Sequence, residues 1–379
     1  MYQLMYRLKK EGKSILMISE ELPELIGMSD RILIMKDGQI QDSFTRSEEL
    51  NEICINQEDG LGGGIKVKEK AKAKEILQKI IPFLGIILMI IIFQVGGEGK
   101  LLTKGNINSI LNQTVYIAIM AFGAIFVYSH GGMDLSYGGV IGFSVLVAIL
   151  VANTGVPAGV VFITNILAAL VWFVLNGVVS VYLQVSPFIT SLCIMYMCRG
   201  ILNTVCASQK YSIPVELFEF DNQKFKLGML LGVFIICYIL FEKTAIGKDN
   251  KAIGGNPAAA KQAGVNVNRT RMIAYIISGI TVGIAGFILM ARAGSVSTST
   301  GQGMEMNVVT ALVLGGVPLS GGSKVKMIGA VVGSFSVILL RNGLIILGVN
   351  ERVVEGIQGL VLLLLVFLTY VKNKDGVLE

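Results

Sequence analysis

The residues able to do chemistry are few and lie scattered through apolar sequence. His130 is the only histidine, which excludes a zinc site built on several imidazoles and leaves no basis for a histidine triad. Cys54, Cys193, Cys198, Cys206 and Cys237 contain no CxxC, and most fall in apolar runs. Neither a disulfide framework nor a thiolate metal site is indicated. HExxH, a serine–histidine pair and paired carboxylates in a polar setting are all missing, as is the phosphate loop GxxxxGK[ST]. No catalytic centre, metal or cofactor is therefore expected. What remains is hydrogen-bonding chemistry, carried by Asp134, Asn176, Thr190, Arg199, Glu305, Asn307, Asn342 and Glu355 in or beside apolar runs. Polar groups at such depth face a bundle interior or a cavity. They either hold a solute in transit or tie helices together.

Several of these residues sit beside helix-breaking signals. Asn176-Gly177 and Asn342-Gly343 interrupt apolar stretches, and Pro187 precedes Thr190. Breaks of this kind survive in lipid only where protein or a cavity covers the freed backbone groups, so Asn176, Thr190 and Asn342 are expected to line a route. Arg199 is expected to snorkel to an interface. In Ser129–Ser136, Gly131-Gly132 permits a tight turn or close helix approach, and Asp134 is expected to cap the following helix from a solvent-exposed turn. Gly315-Gly316 and Gly321-Gly322 bracket Val317-Pro318-Leu319-Ser320 without a following Gly-Lys-Ser/Thr. They read as hinge or close-packing positions rather than a nucleotide loop.

The elements that must position these groups are apolar helices. The 379 residues are 53% hydrophobic and only 15% charged, against about 25% charged in a soluble domain; mean hydropathy is +0.69. Near-20-residue apolar runs predict ten spans or span-like segments at 81–97, 108–128, 137–153, 159–183, 186–206, 226–242, 272–292, 305–318, 325–346 and 352–371. The chain reads as an all-α polytopic membrane protein. The run at 305–318 is short for a full crossing, so a broken or re-entrant helix is an equal reading. The net charge of +6 does not point to nucleic acid, because the basic residues sit in segments where topology explains them.

Topology is set by the basic stretch Glu242–Arg271. Lys243, Lys248, Lys251, Lys261, Arg269 and Arg271 outnumber Glu242 and Asp249, placing it in the cytoplasm. The acidic 209–225 stretch then falls outside, and Lys324, Lys326 and the basic tail fall inside. Within the loop, Asn256 reads as an N-cap and Pro257 as the first residue of a short helix that Gly264 stops. Composition alone leaves a solvated linker and a docking helix both open, and favours the linker.

Residues 1–56 differ from the rest. Ser14–Ser19 reads as a buried strand, Glu20–Met28 as a helix with Pro23 in its first turn, and Arg31–Met35 as a second strand before an Asp37-Gly38 hairpin turn. Residues 57–79 form a glycine-bearing linker and a lysine-rich lead-in, and the membrane domain follows over 80–379. The run Ile15–Gly38 resembles the C-terminal end of the tandem ATP-binding subunit of carbohydrate ABC importers, with Glu20 at the switch-histidine position, which in the second ATPase half of that family is often not His. Without a phosphate loop, signature or Walker B residue it builds no nucleotide site. A fusion, a remnant, or an extension from a start codon lying over a preceding gene are the readings, the last two favoured.

The remainder resembles the permease subunit of ABC importers for ribose, xylose, galactosides and related sugars. The residues that carry the resemblance are Gly131–Ser136, Pro187–Leu192 with Arg199-Gly200, Ile253–Ala260 with Gly264-Val265, Tyr275 with Ser278-Gly279, Gly301–Met306, Val313–Gly322 and Asn342-Gly343. Met133 and Tyr137 depart from the aliphatic residues usual at those positions. The resemblance implies a multi-pass protein of the bacterial cytoplasmic membrane. Its implied partners are a second permease copy, a tandem ATP-binding subunit and an extracytoplasmic sugar-binding protein. It also makes Gly254, Gly255, Asn256, Ala258, Ala259 and Gly264 a coupling segment that touches the ATPase, reversing the linker reading. A nucleoside permease, a non-transporting scaffold and an ion-driven secondary transporter are the alternatives.

Overall fold

The computed structural model describes residues 14, 16, 29–36, 39–45, 85–323 and 325–375, which fall in two units, Met1–Ile76 and Leu77–Glu379. In the first, β1 (Arg31–Lys36) pairs antiparallel with β2 (Gln39–Thr45), Lys36 opposite Gln39. The Asp37-Gly38 turn expected between them lies outside the described residues. The strand expected over Ser14–Ser19, the helix over Glu20–Met28 and the linker all lie essentially outside the described residues.

The second unit is a helical bundle. The chain forms α1 (Gly85–Gly96), α2 (Lys104–Ser129), α3 (Tyr137–Ala152), α4 (Ala158–Gly177), which runs on as a π turn Val178–Tyr182, and α5 (Pro187–Cys206). After β3 (Tyr211–Ser212) and a 3-10 turn at Val215–Asp221, α6 (Gln223–Tyr238) ends in a second π turn, Ile239–Lys243. Two helices then lie where a loop was expected to dominate, α7 (Ala245–Gly255) and α8 (Pro257–Gln262). The bundle resumes with α9 (Val267–Ala293), β4 (Ser295–Val296), α10 (Met304–Leu314), α11 (Met327–Ile346) and α12 (Glu351–Asp375). Among the described residues, ten of the twelve helices match the ten expected segments. Of these described helices six, counting the π turns, are long and apolar enough to cross a membrane, whereas α1, α3 and α10 are shorter.

Small residues decide the packing. Gly279 and Gly283, four apart on α9, meet Leu170 and Ile166 of α4 so closely that a Cβ at Gly279 would lie 3.0 Å from the Leu170 Cα. On another face of α9, Ser278 and Thr281 receive Gly123 of α2. Close backbone approach of this kind drives helix association where lipid removes the hydrophobic incentive. Among the six long apolar helices burial is correspondingly greatest in α2 and α9, at 78% and 67% of their apolar windows, while α4, α5 and α6 bury only 22–28%. The outer helices therefore present broad apolar faces, with Ile163, Leu167 and Val171 exposed on α4.

At one end of the bundle β3 pairs with β4, and the Asn153 amide beyond α3 donates to the Ser212 carbonyl at 3.1 Å. Lys226 pairs there with Asp221 at 2.7 Å and bonds Asn112 at 2.7 Å. The other end carries α7 and α8, the C-terminus of α2, the starts of α5 and α9, and the loop between α10 and α11.

Candidate functional site

The short helix α8 forms as its sequence predicts. Asn256 caps it, its Oδ1 accepting from the Ala258 and Ala259 N–H groups at 3.0 and 3.1 Å. Pro257 needs no donor at the first position, and Gly264, at φ +91°, ends the turn with Val265 N–H bonded to the Ala260 carbonyl. Ala258 and Ala259 are exposed. α7 was not legible because Gly247, Gly254, Gly255, Asp249 and Asn250 are weak helix formers. Tertiary contacts form it instead. The Glu242 carboxylate accepts from Lys251 of α7 at 2.7 Å and from the Met327 N–H at the start of α11 at 2.9 Å, and Lys251 also sits 4.6 Å from the Phe241 ring centroid.

Three glycines converge beside α7 on one carbonyl, that of Ser129 at the end of α2. The Gly322 N–H donates to it at 3.0 Å. A Cβ on Gly254 or Gly321 would overlap that oxygen, and one on Gly131, at φ +80°, would lie 3.1 Å from the Ser320 carbonyl oxygen. α7, the end of α2 and the α10–α11 loop are thus in backbone contact, and neither Gly131 nor Gly321, at φ +75°, tolerates a side chain conformationally. Gly315 packs on Gly329 across the α10–α11 crossing, whereas Gly255 and Gly316 have open space where a Cβ would go.

Gly131–Ser136 is not the solvent-exposed turn expected. It is a non-helical stretch running into the bundle, with Asp134 and Ser136 fully buried. Asp134 does not cap α3 in the expected way. One carboxylate oxygen accepts from the Ser136 N–H at 2.7 Å and the other from the Asn176 amide at 2.8 Å, while Ser180 donates to Asn176 at 3.1 Å and Tyr128 donates to the Asp134 carbonyl at 2.7 Å. The carboxylate ties the broken crossing to α4, which satisfies it better than a surface turn would. Burial and the Arg271 guanidinium push the His130 imidazole at the mouth of this stretch down to about 3, so it is neutral.

A second broken crossing runs the opposite way. After β4 the chain turns through 297–303 back into the bundle before α10 begins, and the first turns of α3 and α10 abut near the middle of α5. Gly139 packs on the Met195 backbone, a Cβ on Gly142 would lie 2.6 Å from the Thr300 carbonyl oxygen, and Gly138 contacts both Gly301 and the Glu305 carboxylate. Arg199 reaches into this junction, donating to the Thr300 carbonyl at 2.9 Å and lying 3.6 Å from Glu305. Arg199 therefore does not snorkel; both side chains are 15% exposed. A carboxylate at two helix N-termini and beside a guanidinium is the physical arrangement that lets an acid reside inside an apolar bundle. Farther along α10, Gln358 of α12 bonds Asn307 at 3.1 Å.

Of the three residues expected along a route, Asn176 is in the Asp134 network and Thr190 bonds back to the Ser186 carbonyl at 3.2 Å. Asn342 is nearly buried with its Oδ1 unpartnered. Sequence reasoning missed the Arg199–Glu305 junction and the Glu242 latch. The spacing Gly138-Gly139-x-x-Gly142 was the one available sign of a close backbone contact at the former.

Comparison with known proteins agrees with this architecture. Residues 106–366 match the family described as branched-chain amino acid transport system / permease component. The chain is 31% identical to the ribose import permease protein RbsC of Bacillus subtilis over 308 residues, covering 79% of this chain and 94% of the relative. It is 32% identical to the galactose/methyl galactoside import permease protein MglC of Escherichia coli, covering 76% and 92%, and 28% identical to the fructose import permease protein FruG of Bifidobacterium longum, covering 71% and 84%. No solved structure matches the chain. A bundle of apolar helices with two oppositely directed broken crossings, matched along nearly the whole length of such relatives, belongs to the family of multi-pass ABC importer permeases.

Proposed function

We propose that the chain is the membrane-spanning subunit of an ABC importer that carries a monosaccharide of the ribose, fructose or galactose class into the cytoplasm. The observation that carries this reading is the near full-length match to three sugar import permeases. ATP is hydrolysed by a separate tandem ATP-binding subunit, sugar arrives on an extracytoplasmic binding protein, and a second permease copy completes the pathway. The chain itself has no complete ATPase site. Residues 1–56 are a piece resembling the end of that ATPase, 57–79 a linker and 80–379 the permease domain. The β1–β2 hairpin is compatible with that division.

In this reading α8 is the coupling helix, and Gly254, Gly255, Asn256, Ala258, Ala259 and Gly264 shape it. The structure groups Lys243, Lys248, Lys261, Arg269 and Lys326 at the α8 end and Glu216, Glu219 and Asp221 at the other, which supports a cytoplasmic position for α8. Gly131, Gly132, Asp134, Gly315, Gly316, Gly321 and Gly322 serve the packing and hinging of the broken crossings. Asn342 is available to a passing hydroxyl, whereas Asn176 and Thr190 reach the route only in a state that breaks their present bonds. The test is uptake of labelled ribose, galactose, fructose and nucleosides by proteoliposomes holding the partner subunits. ATP-dependent uptake of a sugar is expected. Uptake driven by an ion gradient without ATP, or of nucleosides alone, would overturn the reading.

A further inference from the structure

A cavity of about 410 Å³ opens at the α8 end, between the Gly131–Ser136 stretch, the π turn after α4 and the start of α9. Nothing in the coupling or junction geometry uses it. Its volume lies within the ~300–1,000 Å³ of small-molecule sites. Its polar lining includes His130, Gln184, Ser186, Asn268, Arg271 and Tyr275. Three lining atoms are buried with no hydrogen-bond partner: His130 Nε2, Arg271 Nε and the Tyr275 hydroxyl. His130 is 4% and Tyr275 0% exposed. Orphaned buried groups on a cavity wall need a ligand or water.

The chemistry of those three atoms narrows the ligand. The His130 imidazole is neutral, so its unpartnered Nε2 donates or accepts according to tautomer, and a hydroxyl serves either. The Arg271 Nε–H is a donor and needs an acceptor, and the Tyr275 hydroxyl takes either role. An inorganic anion serves Arg271 but suits His130 in one tautomer only. Neighbouring hydroxyls on one molecule serve all three, with the amides of Gln184 and Asn268 and the Ser186 hydroxyl at the rim. The cavity begins at Ser186, thirteen residues before Arg199 on α5, so it lies about 20 Å from the mid-bundle junction at 1.5 Å per residue.

We propose that this cavity is a second polyol-binding subsite, separate from the mid-bundle junction, that holds the sugar before its release at the α8 end. The inference rests on the sugar-importer reading. It is tested with Ser186→Cys in a chain carrying Cys54→Ser and Cys193→Ser, assembled with its partner subunits in nanodiscs and labelled by a maleimide. Cys193 is exposed and would otherwise react. D-ribose, D-galactose, D-fructose and inorganic phosphate are the probes, and Lys210→Cys, at the opposite end, reports global change. The sugar that the same complex transports should slow labelling at Ser186→Cys but not at Lys210→Cys. Tyr275→Phe and Asn268→Ala should each raise the half-protecting concentration about threefold to tenfold, the worth of one hydrogen bond. Equal labelling with and without a transported sugar, or protection by phosphate alone, overturns the subsite and leaves the importer reading standing. Transport of none of the sugars overturns both.

Discussion

The contact most open to a decisive test is that of Gly254 with the Ser129 carbonyl. In Gly254→Ala the new methyl would overlap the Ser129 oxygen and stand 2.5 Å from the Gly322 nitrogen. Both are backbone atoms that cannot rotate away, so α7 must retreat. Retreat disturbs the Gly322 N–H bond to Ser129, which costs about 1–3 kcal/mol when a buried group is left unpaired. Overpacking adds ~1–3 kcal/mol. Gly255→Ala is the internal control, because the adjacent position has nothing within 4 Å of a Cβ. With both variants reconstituted beside the partner ATPase, Gly254→Ala should lose most of the transport-coupled ATPase stimulation and lower the thermal midpoint. Gly255→Ala should leave the thermal midpoint unchanged. If the two behave alike, backbone contact at Ser129 does not transmit anything, and the coupling argument built on it fails.

Asn256→Ala removes the acceptor of two helix-terminal N–H groups and should destabilise α8 by about 1 kcal/mol, seen as weakened ATPase coupling with unchanged membrane insertion; Asn256→Asp, which keeps the cap, should restore coupling. Glu305→Gln or Arg199→Gln alone leaves an uncompensated charge, with a loss of about 1–3 kcal/mol, below the 3–5 of a fully buried pair because both are 15% exposed. The double variant should recover most of the lost thermal stability in detergent, and equal losses in single and double variants would deny the pairing. Because His130 titrates near 3 when folded and about 6.5 unfolded, the unfolded chain binds the extra proton between those values. Stability should therefore fall as pH drops below about 6.5, by at most ~1.4 kcal/mol per unit. His130→Gln should flatten that part of a melting-versus-pH curve.

The ten apolar segments were legible because span length and hydropathy are properties of the local sequence, and so was the cap at Asn256, whose acceptor and donors lie within three residues. What escaped depends on residues brought together from far apart. Arg199 carries no local sign that it turns inward, since an arginine near the end of an apolar run reads equally as an interfacial anchor. Only the re-entry of 297–303, which places Thr300 and Glu305 beside it, decides the matter. Asp134 was misplaced for a related reason. Gly-Gly-x-Asp before a helix is the composition of a surface turn, and the burial that turns Asp134 into a crosslink comes from Asn176 on another helix. The glycine pairs could be recognised as packing sites, but not the carbonyl on which three of them meet.

The two junctions are linked in series by one element. The loop after α10 meets α7 at the Ser129 carbonyl, and the other end of α10 places Glu305 against Arg199 and the first turn of α3. α10 is eleven residues long, about 16 Å at 1.5 Å per residue, and a packed helix of that length moves as a rigid body. A shift of α8 that displaced α7 would therefore push the glycine loop and, through α10, the junction where the first turns of α3 and α10 abut inside the bundle. Glu242 adds a parallel strut, since it holds α7 through Lys251 and the start of α11 through Met327, and α11 packs against α10 at Gly315 and Gly329. Both struts converge on the same helix. Close-packed interfaces switch between discrete arrangements rather than deforming continuously, so a load applied at α8 would be released at the Arg199–Glu305 junction, where the packing is interrupted and the ion pair is not closed by a direct hydrogen bond.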